Sequence, residues 1–215
     1  MFLLAKLRTP FRYSFKNITL YIVGLNVLVY FLIRLFPNLY LYLSIFPLAI
    51  IKNHAYWQFF TYMFVHDISS IQHILFNVIG LLIFGSAIEK VVGSKEFTLL
   101  YLLSGIFCGL ISFVFFVLTK QLIVVMCGAS GCLYAIMLMF AVLFPKSTIN
   151  IWGILPVPSP LLVLVYGIIA VVSQLFSLSG GIAHIAHLGG FLFAWIYLIV
   201  RMNLNPWKVW KDAYK

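Results

Sequence analysis

Six apolar windows, near residues 18–36, 71–88, 97–118, 122–144, 159–178 and 182–200, decide what this chain can fold into. Each is long enough to cross a hydrocarbon core, which takes about 20 residues at a rise of about 1.5 Å per residue. The second is the shortest. With 64% hydrophobic and 8% charged residues over 215 positions, the chain cannot hide that surface in a soluble core, because globular domains carry roughly 25% charge. The sequence therefore predicts an all-α polytopic membrane protein, a bundle of six transmembrane helices with the lipid bilayer as its partner.

The net charge of +10 does not mark a nucleic-acid partner, because the basic residues cluster at helix ends rather than along one face. With the N-terminus inside, Lys6, Arg8, Arg12, Lys16, Lys90, Lys95, Lys146, Arg201, Lys208, Lys211 and Lys215 fall on the inner side. Arg34, Lys52 and Lys120 fall on or near the outer side, so the positive-inside rule puts both termini in the cytoplasm. Lys6 and Arg8 precede an apolar span with no small-residue cleavage site close behind, which predicts a retained first helix. The expected organisation is one membrane domain over 1–215: a cytoplasmic segment 1–17, a six-helix core 18–200 and a cytoplasmic tail 201–215. Compact size and a short tail point to a prokaryotic plasma membrane.

Short connections after the second window predict one compact bundle. The stretch from Pro37 to Ser70 is the exception. Its segments Ile45–Ile51 and Trp57–Phe64 are too aromatic for a solvated loop, so it is expected to lie partly embedded in the outer interface. Pro37 follows the first window, Pro145 the fourth, and Pro158 with Pro160 opens the fifth; Gly180-Gly181 marks the turn into the sixth.

An inside N-terminus makes the second, fourth and sixth helices all run from outside to inside. His73 and Asn77, Ser130, and His187 each come early in one of them, so all four share one outer layer, roughly 3–12 Å below the helix starts. His73 and Asn77 are four residues apart and project from one face, as do Ser130 and Tyr134. The bland alternative is that each is an isolated, satisfied polar residue, as Ser130 or Tyr134 alone would suggest, whereas intramembrane His187 is costly and points to function; agreement in depth points to a site. Gly131 and Ala135 on the fourth helix, with Gly189, Gly190 and Ala194 on the sixth, supply the small-residue spacing that lets backbones approach.

The side-chain inventory narrows the chemistry. The acids are Asp67, Glu89, Glu96 and Asp212, the last three on the cytoplasmic side, which excludes an aspartyl protease needing two carboxylates in the core. HExxH is absent, and His184 with His187 lacks a carboxylate or third ligand, so neither a metal nor another cofactor is expected. Cys108, Cys127 and Cys132 all lie in predicted spans without a CxxC pair, which supports neither disulfides nor structural zinc. The remaining nucleophile is a hydroxyl, Ser130, with neutral His187 as its base. His184, one turn away, is the alternative base. The Ser130 backbone N–H near a helix N-terminus is a candidate oxyanion donor.

Gly128-Ala129-Ser130-Gly131, His73-Ile74-Leu75-Phe76-Asn77 and Ala186-His187-Leu188-Gly189-Gly190 resemble the GxSG, HxxxN and helix-six histidine motifs of the rhomboid family of intramembrane serine proteases. The resemblance extends over all six helices, with Glu89 and Gly93-Ser94 after the second helix and GxxxA at Gly190 to Ala194 in place of GxxxG. The family's Trp-Arg pair stands here as Trp57-Gln58, and two additional residues separate His66 from His73. The resemblance implies a six-helix fold with a water-filled cavity open to the outer face, and side-chain oxyanion donors His73 and Asn77. It also implies that Tyr134 packs against His187, giving a Ser-His dyad rather than a triad. Gly128 and Gly131 then allow close approach of a substrate backbone, and transmembrane proteins unwound near their outer ends are the expected substrates. His54 and His66 are expected to be structural. A catalytically inactive relative that binds transmembrane helices, and a small transporter, are the competing readings.

Overall fold

The computed structural model of the chain describes residues 8–151, 154–175 and 182–215; Lys6 and the Gly180-Gly181 turn lie outside them. Six apolar helices make the body: α1 (Ile18–Leu35), α2 (Ile71–Val92), α3 (Ser94–Leu118), α4 (Ser130–Leu143), α5 (Ser159–Leu175) and α6 (Ile182–Val200). A short helix, α7 (Pro206–Ala213), follows. Among the described residues, α1, α2 and α3 are long and apolar enough to cross a membrane, and the apolar stretches Ser130–Leu143, Ser159–Gln174 and His184–Val200 are shorter.

Two expectations are corrected. The second window is not the shortest: α2 continues to Val92 through a π-helical turn at Leu81–Gly85. The fourth, expected over 122–144, is helical only from Ser130 to Leu143. The β-branched run Ile123-Val124-Val125 favours extended backbone, and Gly128 takes a φ of 120°, which no helix admits. The described residues are otherwise mostly helical, as expected, with one small addition. Between α4 and α5, strands β1 (Thr148–Ile151) and β2 (Leu155–Pro158) pair antiparallel, with Thr148 opposite Pro158. β-branched Thr148, Ile149 and Ile151 suit a strand, while Pro156 and Pro158 bar a helix.

α4 is the most enclosed helix, with Gly131, Cys132, Ala135, Ile136, Leu138, Met139 and Ala141 all buried. α1 and α5 lie outside it and expose large apolar side chains, among them Tyr21, Leu28, Leu164 and Ile168. Such surfaces are stable only against lipid.

Two carboxylates fasten the end of the bundle away from Ser130. Buried Glu89 on α2 accepts from the Ile18 and Thr19 backbone N–H groups at 2.7 and 2.9 Å, from Thr19 Oγ1 at 2.8 Å and from Ser94 Oγ at 2.5 Å. It therefore caps α1, whose first N–H groups have no partner within the helix, and ties α1 to the α2–α3 junction. Glu96 on α3 takes both arms of the Arg201 guanidinium, at 2.9 and 2.8 Å, together with the Tyr197 hydroxyl of α6. Each buried donor left unpaired costs roughly 1–3 kcal/mol, so Glu89→Ala is expected to lower unfolding stability by about 3 kcal/mol or more. Unfolding of the purified protein in mixed micelles measures this; an unchanged midpoint would contradict the capping role.

Candidate active site

Ser130 opens α4 because the chain reaches it extended and doubly pinned. Ile45 and Met126 exchange backbone hydrogen bonds, each 2.9 Å, and Gly128 N–H donates to the Tyr62 carbonyl at 3.0 Å. The Tyr62 hydroxyl in turn donates to the Gly105 carbonyl on α3 at 2.7 Å. As the first residue of α4, Ser130 has a backbone N–H with no acceptor inside the helix, at the positive end of its dipole.

His187 comes from α6, and its Nε2 lies 2.8 Å from Ser130 Oγ. The approach needs two glycines. A Cβ on Gly190 would overlap the Gly131 carbonyl oxygen, and a Cβ on Gly131 would come within 3.0 Å of Cys108 Sγ on α3. Tyr134, one turn along α4, stacks on the His187 ring with centroids 4.1 Å apart and planes 8° apart. His184 stands edge-on to the same ring at 5.9 Å. His187 Nδ1 is buried and has no hydrogen-bond partner among the described residues, where the ring is held by stacking.

α2 contributes from the other side. The Asp67 backbone N–H donates to His73 Nδ1 at 3.2 Å. Nδ1 is thus an acceptor, and the remaining proton sits on Nε2. A Cβ built on Gly128 would lie 2.8 Å from His73 Nε2 and 3.8 Å from Ser130 Oγ. The glycine therefore keeps open a space onto which both groups converge. Asn77 donates one amide hydrogen to the His73 carbonyl at 2.7 Å; among the described residues its Oδ1 has no partner, and an amide has a second hydrogen to give. Asn77, Ser130 and Tyr134 line one cavity of about 500 Å³, which continues along α2 and α5 to Ile149 on β1.

The structure thus brings Ser130, His187, Tyr134, His73, Asn77 and Gly128 together. His184 meets the edge of the His187 ring, and His54 stays outside the cluster, bonded to Tyr56. Reading 37–70 as an interfacial stretch misses its second task, which is to pin the strand before Ser130. Gln58 does most of the knitting. Buried, it accepts from Phe46 N–H at 2.9 Å and donates to the Leu41 and Tyr42 carbonyls at 3.1 and 3.3 Å.

His66, in the same stretch, packs edge-on to His73 with ring centres 5.2 Å apart. Burial, reinforced by neighbouring His73, pushes its pKa from 6.5 down to about 3. The imidazole is therefore neutral in the fold and gains a proton more readily when the segment opens. The stability it contributes is complete above pH 6.5 and is lost as pH falls toward about 3. Amides of residues 62–66 are expected to open more often at about pH 5 than at about pH 7.5 once intrinsic exchange rates are divided out. Hydrogen exchange reads this, and equal opening at both values would refute it. Gly190→Ala is expected to push α6 off α4, lower the unfolding temperature and slow fluorophosphonate labelling of Ser130 about 100-fold, the cost of a displacement of about 1 Å. Labelling at the wild-type rate would show that the close approach is not required.

Residues 53–204 match the sequence profile of the Rhomboid domain. Over 102 residues, 46% of this chain and 48% of the relative, the chain is 30% identical to YdcA of Bacillus subtilis (strain 168), whose name places it provisionally among the rhomboid proteases. Over 94 residues, 43% of this chain and 48% of the relative, it is 33% identical to the rhomboid protease GlpG of Haemophilus influenzae. The matched stretches span about half the length of these curated relatives.

Proposed function

The chain belongs to the rhomboid family of membrane proteins, and from that premise we propose that it is an intramembrane serine endopeptidase working through a Ser130-His187 dyad. The observation that carries the reading is the 2.8 Å contact between His187 Nε2 and Ser130 Oγ. Two polar groups from different helices meet there inside an apolar bundle, where such groups are costly unless they serve a function.

In this reading His187 Nε2 accepts the Ser130 hydroxyl proton as Oγ attacks the scissile carbonyl, and later hands it to the leaving amine. Accepting at Nε2 requires the proton of the neutral ring to sit on Nδ1. The Tyr134 face stacked on the ring holds its orientation and favours the imidazolium that forms, as an aromatic face favours a cation. The developing oxyanion meets the Ser130 backbone N–H, His73 Nε2–H and the second amide hydrogen of Asn77. The space beside Gly128 admits the substrate backbone.

The cavity that starts at Ser130 and continues between α2 and α5 is open toward lipid-facing Phe76, Ile79 and Ile83, which suits entry of a transmembrane segment from the bilayer. A helical peptide bond is shielded by its own hydrogen bonds, so the substrate is a transmembrane protein that unwinds near the level of Ser130. We place all six apolar helices across the membrane, in one domain, with both termini in the cytoplasm of a prokaryotic cell. The basic residues at the Arg201 end support that orientation.

Reconstitution with a panel of single-pass proteins, with the cut mapped by mass spectrometry, tests the reading. Wild type is expected to cleave and Ser130→Ala to be inert. His73→Ala and Asn77→Ala are each expected to lose about 10²–10³ in kcat, the usual cost of an oxyanion donor. Cleavage by Ser130→Ala would end the proposal. A wild-type protein that binds these substrates without cutting them, and fails to react with a fluorophosphonate, would identify a helix-binding relative without activity.

A further inference from the structure

On the flank of the bundle away from α2, a second groove runs between α5 and α6, with a volume of about 540 Å³. Val163, Ile168, Val172 and Leu192 line it, Leu138 of α4 contributes to its wall, and its surface is almost wholly apolar. It passes Gly167, whose nearest neighbour for an added Cβ is the Phe191 ring at 3.6 Å. One end is closed by Trp195 of α6 and Trp210 of α7, rings edge to face at 6.0 Å.

That end is built differently from the rest. Trp210 Nε1 donates to the Ala141 carbonyl at 2.8 Å, and the Tyr214 hydroxyl donates to the Pro145 carbonyl at 2.6 Å, so α7 is strapped across the last turn of α4. Asn205 caps α7 by accepting from Lys208 N–H. Trp207, Lys208 and Lys211 are exposed, whereas the one acid of the helix, Asp212, pairs with Lys215 at 2.8 Å. From Ser147 to Val200 the chain carries no Asp, Glu, Lys or Arg, and Arg201 is engaged by Glu96. Lys208 and Lys211 of α7 are thus exposed cations at the closed end, joined by exposed Lys146 beside the Pro145 carbonyl that Tyr214 bonds.

We propose that this groove holds an acyl chain of an anionic phospholipid whose headgroup meets Lys208 and Lys211. An almost wholly apolar lining suits a hydrocarbon chain, and the exposed lysines at its closed end suit an anionic headgroup. Tryptophans flanked by lysines at the end of an apolar groove mark the depth of lipid headgroups, and basic residues there favour anionic ones. The groove also backs the ring stack of the other site. Phe191, on its wall, packs against Tyr134 at 4.9 Å, and Tyr134 lies on His187. Binding at the groove stands whether or not the chain cleaves peptides.

Native mass spectrometry of the delipidated full-length protein, titrated with phosphatidylglycerol and with phosphatidylcholine of identical acyl chains, tests the proposal. Wild type is expected to retain one phosphatidylglycerol in preference to phosphatidylcholine. Lys208→Gln and Lys211→Gln, both at exposed positions, should each reduce the preference about fivefold, the attraction of one lysine to an anionic leaflet. Gly167→Leu, which fills the groove, should reduce retention of both lipids. Equal retention of the two lipids by wild type would overturn the proposal, as would an undiminished preference in the double lysine variant. Displacement of the lipid by a synthetic apolar transmembrane peptide at one-to-one stoichiometry would instead assign the groove to a helix.

Discussion

The contact between Gly131 on α4 and Gly190 on α6 is the constraint on which the arrangement rests. In lipid no hydrophobic force draws apolar helices together, so their association depends on close packing and on the polar groups they share. Without side chains at these two positions the backbones meet directly, since a Cβ on Gly190 would overlap the Gly131 carbonyl. That distance brings His187 Nε2 to 2.8 Å from Ser130 Oγ. A wider crossing would leave both groups as unpaired polar atoms in an apolar interior, a worse state than either helix alone.

Helix packing fixes only one coordinate of Ser130, because the residue stands at the mouth of its helix rather than within it. The other is set by the extended segment before it, which is bonded to Ile45 and Tyr62. Those residues belong to the interfacial stretch that Gln58 holds together. The two halves of the site are thus anchored to different bodies: His187 and Tyr134 to the α4–α6 pair, His73 and Asn77 to α2. Between them lies the space that Gly128 leaves open. Asn77 Oδ1 and His187 Nδ1, which have no hydrogen-bond partner among the described residues, are polar atoms at this junction to which water could bond.

Much of this was legible in the sequence, and the reason is periodicity. The apolar windows follow from composition over about 20 residues, and His73 with Asn77, or Ser130 with Tyr134, share a face by simple helical spacing. The expectation of a common depth rested on the second, fourth and sixth windows alternating with the others in direction. What escaped was non-local or non-helical. Residues 122–129 are as apolar as a span, and hydropathy cannot tell an extended apolar segment from a helical one; the β-branched run and Gly128 were the available signal. The β1–β2 hairpin escaped for a similar reason, and the pairing of Ile45 with Met126 joins residues some eighty positions apart, which no local pattern encodes.

Gln58 shows how one departure from a family pattern can be absorbed by hydrogen-bond chemistry. Its position is buried and faces both a backbone N–H, of Phe46, and two carbonyls, of Leu41 and Tyr42. A guanidinium donates but cannot accept, so it could satisfy the carbonyls but not the N–H, and its charge would have to be removed from water as well. A carboxamide has one acceptor oxygen and two donor hydrogens, and here both ends are used at the cost of no buried charge. The neighbouring Trp57 adds its indole N–H to the same Tyr42 carbonyl at 2.8 Å. Around Gln58 the stretch is thus closed by neutral groups, and it presents Ile45 to the segment that positions Ser130.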